Sequence, residues 1–201
     1  MIEGFRYFPR FLDIGAQHSL LDELNQALAE APLFIPVMPR SGRPLSVRMS
    51  NLGSLGWISD RLGYRYQPAH PETGRPWPPI PDEILDVWRS VAGYPHAPEA
   101  CLVNYYAQGA KMGLHRDADE EDFEAPVVSI SLGDTAIFRI GGPARKGRTE
   151  TLPLSSGDVV VLGGSSRLCY HGVDRILGGT SSLLPQGGRI NLTLRRVTRP
   201  T

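Results

Sequence analysis

Apolar residues recur along this chain with two different periods. Over residues 18–31, "HSLLDELNQALAEA", Leu20, Leu21, Leu24 and Leu28 follow helical spacing after Ser19, a residue suited to capping a helix. The pattern predicts an amphipathic helix whose leucine stripe is core. A second helix is predicted over residues 81–93, "PDEILDVWRSVAG", opened by Pro81 and closed by Gly93. From Ala100 the period shortens to two. The segments "ACLVNYYA", "PVVSISLG", "TAIFRIGG", "RTETLPLS", "GDVVVLGG", "RLCYHGV" and "RINLTLRRV" read as short strands between turns. Strands at this spacing predict a β-sandwich or jelly roll. Residues 32–81 show neither period and are rich in Gly, Pro, Arg and aromatics. They predict a long irregular stretch, of the kind that serves as a lid or binding loop. The expected plan is α+β, with a helical, loop-rich front packed on a β-rich back half.

At 201 residues the chain can bury one sizeable core. Its opening stretch is too polar for a signal peptide, and no apolar run is long enough to span a bilayer. Cys101 and Cys169 sit in apolar segments without a C-x-x-C, so two reduced core thiols are expected. A soluble cytoplasmic monomer without a membrane partner fits these features. Net charge is zero, which argues weakly against a nucleic-acid partner, but the charge is unevenly spread. Residues 35–80 hold six arginines against Asp60 and Glu72, and from Arg139 onward ten basic residues face three acids. Two basic regions on a neutral chain can still bind phosphates. "GPARKGRT" nearly fits a phosphate loop, but it lies between two predicted strands and is read as a hairpin loop.

The chemistry concentrates in "GLHRDADEEDFEAPVVSISLGD", residues 113–134. In an extended segment His115 and Asp117 point to the same side and can reach one ion. A third ligand must come from elsewhere. His18 lies in the first helix, while His70 and His96 lie in proline-rich loops, which leaves His171. Two histidines and a carboxylate on a β scaffold form the facial triad of non-haem Fe(II) oxygenases, with open positions for other ligands. The alternative for His171 is a hydrogen-bonded core histidine. "RINLTLRR" sets Arg189, Asn191, Thr193 and Arg195 on one face and Ile190, Leu192 and Leu194 on the other. The apolar face is core; the polar face suits a dicarboxylate, because guanidinium forks grip carboxylates with paired hydrogen bonds. Asn104 and Tyr106 offer a polar pair for the same space.

"CLVNYYAQGAKMGLHRDADE", "APVVSISLGDTAIFRIGG", "GDVVVLGGSSRLCYHGV" and "RINLTLR" together resemble the bacterial AlkB family of Fe(II)- and 2-oxoglutarate-dependent nucleic-acid dealkylases. "MSNLGSLGW" and "GYRYQP" resemble that family's nucleotide-recognition lid. The resemblance implies one dioxygenase domain over residues 1–201, with a lid over about 32–80 and a double-stranded β-helix core over about 100–201. It implies Fe(II) on His115, Asp117 and His171, and 2-oxoglutarate on Asn104, Tyr106, Arg189, Asn191 and Arg195, with O₂ as the second cosubstrate. The implied reaction is oxidative demethylation of 1-methyladenine and 3-methylcytosine in DNA, releasing formaldehyde and succinate. These bases are cationic near neutral pH, so aromatic faces and a carboxylate suit them. Trp57 and His171 resemble the stacking pair, and Asp119 the carboxylate that reads the exocyclic amine. Tyr64, Arg65 and Tyr66 resemble the lid segment that meets the phosphate backbone, and Arg145 a further substrate-side position. Methylated single-stranded DNA is the expected partner, since a base within a duplex must first be flipped out. Double-stranded DNA, RNA, and a small-molecule or protein hydroxylase are the alternatives. Arg43 stands where the family resemblance leads one to expect an aromatic, and Arg116 where it leads one to expect a neutral polar residue. Residues 120–124 are expected to be a solvated acidic run.

Overall fold

The computed structural model of the chain describes residues 2–200. Its elements are β1 (Phe5–Phe8), α1 (Ile14–Glu30), β2 (Arg48–Gly53), β3 (Gly56–Asp60), β4 (Gly63–Gln67), α2 (Asp82–Val91), β5 (Ala100–Tyr106) and β6 (Met112–His115). There follow β7 (Val127–Gly133), β8 (Thr135–Gly141), β9 (Thr149–Leu154), β10 (Val159–Leu162), a 3-10 turn (Gly164–Ser166), β11 (His171–Leu177) and β12 (Arg189–Arg195). An antiparallel sheet ordered β1-β10-β7-β12-β5-β2 packs on a smaller one ordered β6-β11-β8-β9, and β3 pairs with β4 as a separate hairpin. This is the jelly-roll architecture that the strand pattern predicts.

Alternation along the large sheet decides what each face meets. Ile190, Leu192 and Leu194 of β12 lie with Cys101 and Val103 of β5 and Val128, Ile130 and Leu132 of β7, in one cluster with Leu20 and Leu24 of α1 and Val87 and Trp88 of α2. Each such side chain contributes about 1.5–3 kcal/mol when fully buried. Their neighbours in sequence point the other way, toward the small sheet. There the rim is apolar, with Phe5, Val127, Val160 and Leu162 meeting Phe138, Ile140 and Leu154. The middle is polar, because the register sets Asn191 beside Asn104 and Ser131, and Arg189 beside Tyr106. The helices thus seal one face, and the site is built on the other.

Several expectations need correction. The first helix starts at Ile14, not near Ser19, because Asp13 caps it by accepting from the Ala16 amide at 2.8 Å. Its first turn is invisible to the apolar period since Ile14 is exposed. Residues 32–81 are not one irregular stretch. They include β2, which pairs with β5 along its whole length, and the β3–β4 hairpin. The sequence of β2 hides this because its buried Ser50 and Asn51 are polar yet satisfied: Ser50 donates to the Ala31 carbonyl at 2.7 Å, and the Asn51 amide brackets the Trp57 backbone at 3.0 Å on both sides. Arg167 to Tyr170, read as strand, are a turn at Arg167 and Leu168 followed by two residues without regular structure, and β11 begins only at His171. Cys101 and Cys169 are free, buried thiols. "GPARKGRT" falls in the connection of the antiparallel pair β8 and β9. No helix among the described residues is long and apolar enough to cross a membrane.

Candidate active site

The ladder between β6 and β11 sets His115 opposite His171, with ring centroids 4.6 Å apart. Gly172 permits this approach: a Cβ there would sit 2.5 Å from the Met112 carbonyl oxygen. Asp117 follows just beyond the end of β6. One ligand atom from each of His115, Asp117 and His171 lies within 4.8 Å of the others. The Nε2 atoms of both histidines stand 3.8 Å from the Asp117 carboxylate, one on each oxygen.

The opposite edge of each ring explains the direction. His115 Nδ1 lies 2.9 Å from the Gly113 carbonyl and His171 Nδ1 lies 3.0 Å from the Cys169 carbonyl. A carbonyl can only accept, so each Nδ1 carries a proton and each Nε2 faces the shared centre. Burial draws His171 down to about 4 despite the nearby Asp117 charge, so it is neutral at physiological pH. Burial alone would raise Asp117, but Arg195, then His171 and His115, hold its carboxyl well below the usual range. Asp117 Oδ2 has no hydrogen-bond partner. Two imidazole Nε2 atoms and an ionised carboxylate with one unpartnered buried oxygen form a donor set that fits a divalent transition ion.

The polar face of the large sheet continues this centre. Arg189 is 1% exposed and bonds to the Leu154 carbonyl at 3.1 Å and the Ser131 hydroxyl at 2.7 Å. Arg195 NH2 is 2.8 Å from Asp117 Oδ1. Asn191 Nδ2 donates to the Ser129 hydroxyl at 2.6 Å, and its Oδ1 accepts from Thr193 at 2.9 Å. The Nε atoms of Arg189 and Arg195 and Oδ1 of Asn104 are buried without partners. Two guanidinium edges in want of acceptors fit a dicarboxylate. Tyr106 lies on the same face, and burial pushes its hydroxyl up to about 12, so it is a neutral donor.

The β3–β4 hairpin meets the centre through two contacts. Trp57 on β3 stacks on Tyr64 of β4 at 5.6 Å and 16°, and its indole Nε1 donates to Asp119 Oδ2 at 2.8 Å. Arg65 grips Asp60 of its own hairpin with two bonds, of 2.9 and 2.8 Å. Tyr66 is half-buried, and its hydroxyl accepts from Arg195 at 3.0 Å and donates to Glu120. Arg145 is exposed in the β8–β9 connection. Arg43 is exposed, and Arg116 lies 5.7 Å over the Tyr170 ring.

The acidic run is not uniformly solvated. Glu121 and Glu124 are exposed, whereas Glu120 and Asp122 are 5% exposed. Glu120 accepts from Arg167 at 3.1 Å and faces Arg195 at 3.5 Å, while Asp122 accepts from Tyr94. Buried carboxylates persist here because each has a donor aimed at it. Sequence reasoning missed Arg167 and Glu120 as a pair. Their partnership spans 47 positions, and no periodicity marks an irregular loop.

Comparison with known proteins agrees with this geometry. Residues 4–195 match the model of the 2OG-Fe(II) oxygenase superfamily. The chain is 56% identical over 197 residues to the alpha-ketoglutarate-dependent dioxygenase AlkB homolog of Caulobacter vibrioides, covering 98% of this chain and 89% of that one. It is 44% identical to alpha-ketoglutarate-dependent dioxygenase AlkB of Escherichia coli, covering 90% and 85%. The solved structure of OsALKBH1 superposes with a TM-score of 0.81 at 31% identity, over 98% of this chain and 99% of that one. With the triad, the jelly roll and these likenesses in agreement, the chain belongs to the 2OG-Fe(II) oxygenase superfamily and, within it, to the AlkB family of alpha-ketoglutarate-dependent dioxygenases.

Proposed function

We propose that this enzyme removes alkyl groups oxidatively from N-alkylated bases, 1-methyladenine and 3-methylcytosine above all, in single-stranded DNA. The observation that carries this reading is the Trp57 indole, backed by Tyr64 and bonded at 2.8 Å to Asp119. Asp119 is two residues from Asp117, a span of at most about 7 Å of chain. An aromatic face and a carboxylate therefore stand within a base's breadth of the metal ligands. A cationic methylated base finds there a π surface and a charge-assisted acceptor for its exocyclic amine. A neutral substrate would gain nothing from the carboxylate's charge.

His115, Asp117 and His171 would hold Fe(II). Arg189, Arg195, Asn191, Asn104 and Tyr106 would hold 2-oxoglutarate. When bound, the iron with 2-oxoglutarate and O₂ supplies a two-electron oxidation of a C–H bond, with loss of CO₂ from the cosubstrate. The chain's own part is placement. Trp57 and Asp119 fix the base so that its N-methyl group is presented to the metal. The hydroxymethylated base then breaks its N–C bond, giving formaldehyde and the repaired base. Tyr64, Arg65 and Arg145 would meet the phosphate backbone at the surface, and half-buried Tyr66 turns its hydroxyl to Arg195.

The test uses a single-stranded DNA oligonucleotide with one 3-methylcytosine, and the same sequence as RNA. Formaldehyde and succinate released in equal amounts, faster on DNA, is the expected result. Faster turnover of RNA would move the substrate assignment to RNA, and succinate without formaldehyde on either polymer would refute it.

A further inference from the structure

The three metal ligands are held in place by different means. His115 and His171 are register partners, so the β6–β11 ladder fixes their separation. Asp117 lies past the end of β6, in a connection without regular structure that runs to β7. No strand pairing sets its position. Its carboxylate meets Arg195, but a guanidinium that is also to grip the cosubstrate is a poor fixture for a ligand.

From the His171 side, Tyr170 meets the start of this connection through the Arg116 guanidinium, and Arg167 hydrogen-bonds along it. Arg167 follows the 3-10 turn and precedes His171 by four residues. Its Nε donates to the Ala125 carbonyl at 2.9 Å, NH1 to the Asp117 carbonyl at 2.8 Å and NH2 to Glu120 Oε2 at 3.1 Å. The guanidinium also lies 5.5 Å over the Phe123 ring, and its side chain is 3% exposed. A planar fork thus bonds the connection near its start, middle and end. The other ties come from elsewhere in the fold: Trp57 donates to Asp119 and Tyr66 to Glu120, Arg195 faces Glu120, Tyr94 donates to Asp122, the Glu121 amide to the Val197 carbonyl, and Arg199 to the Glu121 carbonyl.

We infer that Arg167 is a positioning residue for the metal centre. It clamps the backbone of Asp117 to the segment that carries His171 before an ion arrives, and buried Glu120 neutralises it. Without the clamp the connection must be ordered at the moment of binding, and metal affinity falls by that entropy. Partners one shell removed from a metal typically alter affinity about 10- to 100-fold. The inference rests on the triad being the metal site.

The experiment is Mn(II) titration of metal-free protein, read by the paramagnetic resonance of free Mn(II). Hydrogen exchange of the metal-free protein over residues 118–125 accompanies it. Arg167→Lys keeps a charge for Glu120 but loses the planar fork whose separate nitrogens reach both carbonyls and Glu120 at once. Its Mn(II) Kd should rise about 10- to 100-fold, with faster exchange over 118–125 and unchanged exchange in β5 and β12. A folded Arg167→Lys with wild-type Mn(II) affinity, even at a lower melting temperature, would overturn the inference and leave Arg167 merely structural. Should Arg167→Lys not fold, Glu120→Gln serves: a weaker Mn(II) affinity supports the clamp and an unchanged one overturns it. His115→Ala separates the two readings. If wild type binds no Mn(II), or His115→Ala binds it equally well, the metal assignment itself fails and takes the inference with it.

Discussion

Arg195→Met tests how charge is balanced at the centre. Methionine keeps much of the aliphatic stem but removes the guanidinium, which lies 2.8 Å from Asp117 and 3.5 Å from Glu120. Breaking a buried pair by deleting one partner costs about 3–5 kcal/mol, because the remaining charge is left uncompensated. Glu120 retains Arg167, so the loss falls mainly on Asp117, and about 3 kcal/mol is expected for metal-free protein. For a chain of this size that is a fall of roughly 6–12 °C in melting temperature. A divalent ion on Asp117 supplies the missing positive charge. The same substitution under saturating Mn(II) should therefore cost on the order of 1 kcal/mol. Circular dichroism melts of wild type and variant, with EDTA and with Mn(II), give the four values required. Equal destabilisation in both conditions would refute the reasoning, since it would mean that Asp117 does not share its charge with the metal.

Asp119→Ala should lower kcat/KM on 1-methyladenine about 10- to 100-fold, the worth of a hydrogen bond to a charged group, with a much smaller loss on neutral ethenoadenine. Equal losses in the two assays would contradict the charge argument. Metal-free protein should lose stability in acid. His171 sits at about 4 when folded against its ordinary 6.5, so the unfolded chain binds more protons in that window. About 3 kcal/mol should go as pH falls from about 6.5 to about 4, and urea titrations in EDTA with a flat profile there would show His171 to be solvated. Gly172→Ala places a Cβ 2.5 Å from the Met112 carbonyl and should push β6, with His115, away from β11. Weakened Mn(II) binding and a cost of about 1–3 kcal/mol are expected, and wild-type Mn(II) affinity would show that strand spacing does not set the triad.

What was legible in the sequence followed the period. Strands β7 and β12 alternate apolar and polar residues, β5 reads as a short apolar run, and the faces of β12 divide between helices and site as the alternation predicts. Strand β2 was hidden because "RMSNLG" buries Ser50 and Asn51, whose partners lie outside the strand. The triad could be assembled because few histidines compete for the role, and its geometry needs only a strand end and a neighbouring strand. The Arg167–Glu120 pair could not. Whether a carboxylate in "DEEDFE" is buried depends on which donor the fold brings to it, and Glu120 and Glu121 are alike in sequence yet opposite in exposure. Tyr66 shows the same limit. Its strand, β4, has no buried face, since residues 63–67 are all at least partly exposed, yet the Tyr66 hydroxyl reaches buried Arg195.

The most direct measurement is mass spectrometry of a single-stranded DNA oligonucleotide carrying one 1-methyladenine. It is incubated with the protein, Fe(II), ascorbate and O₂, with and without 2-oxoglutarate. Loss of the methyl mass only when 2-oxoglutarate is present is the predicted result. An unchanged oligonucleotide under both conditions, from protein that still converts 2-oxoglutarate to succinate, would contradict the assignment of the substrate.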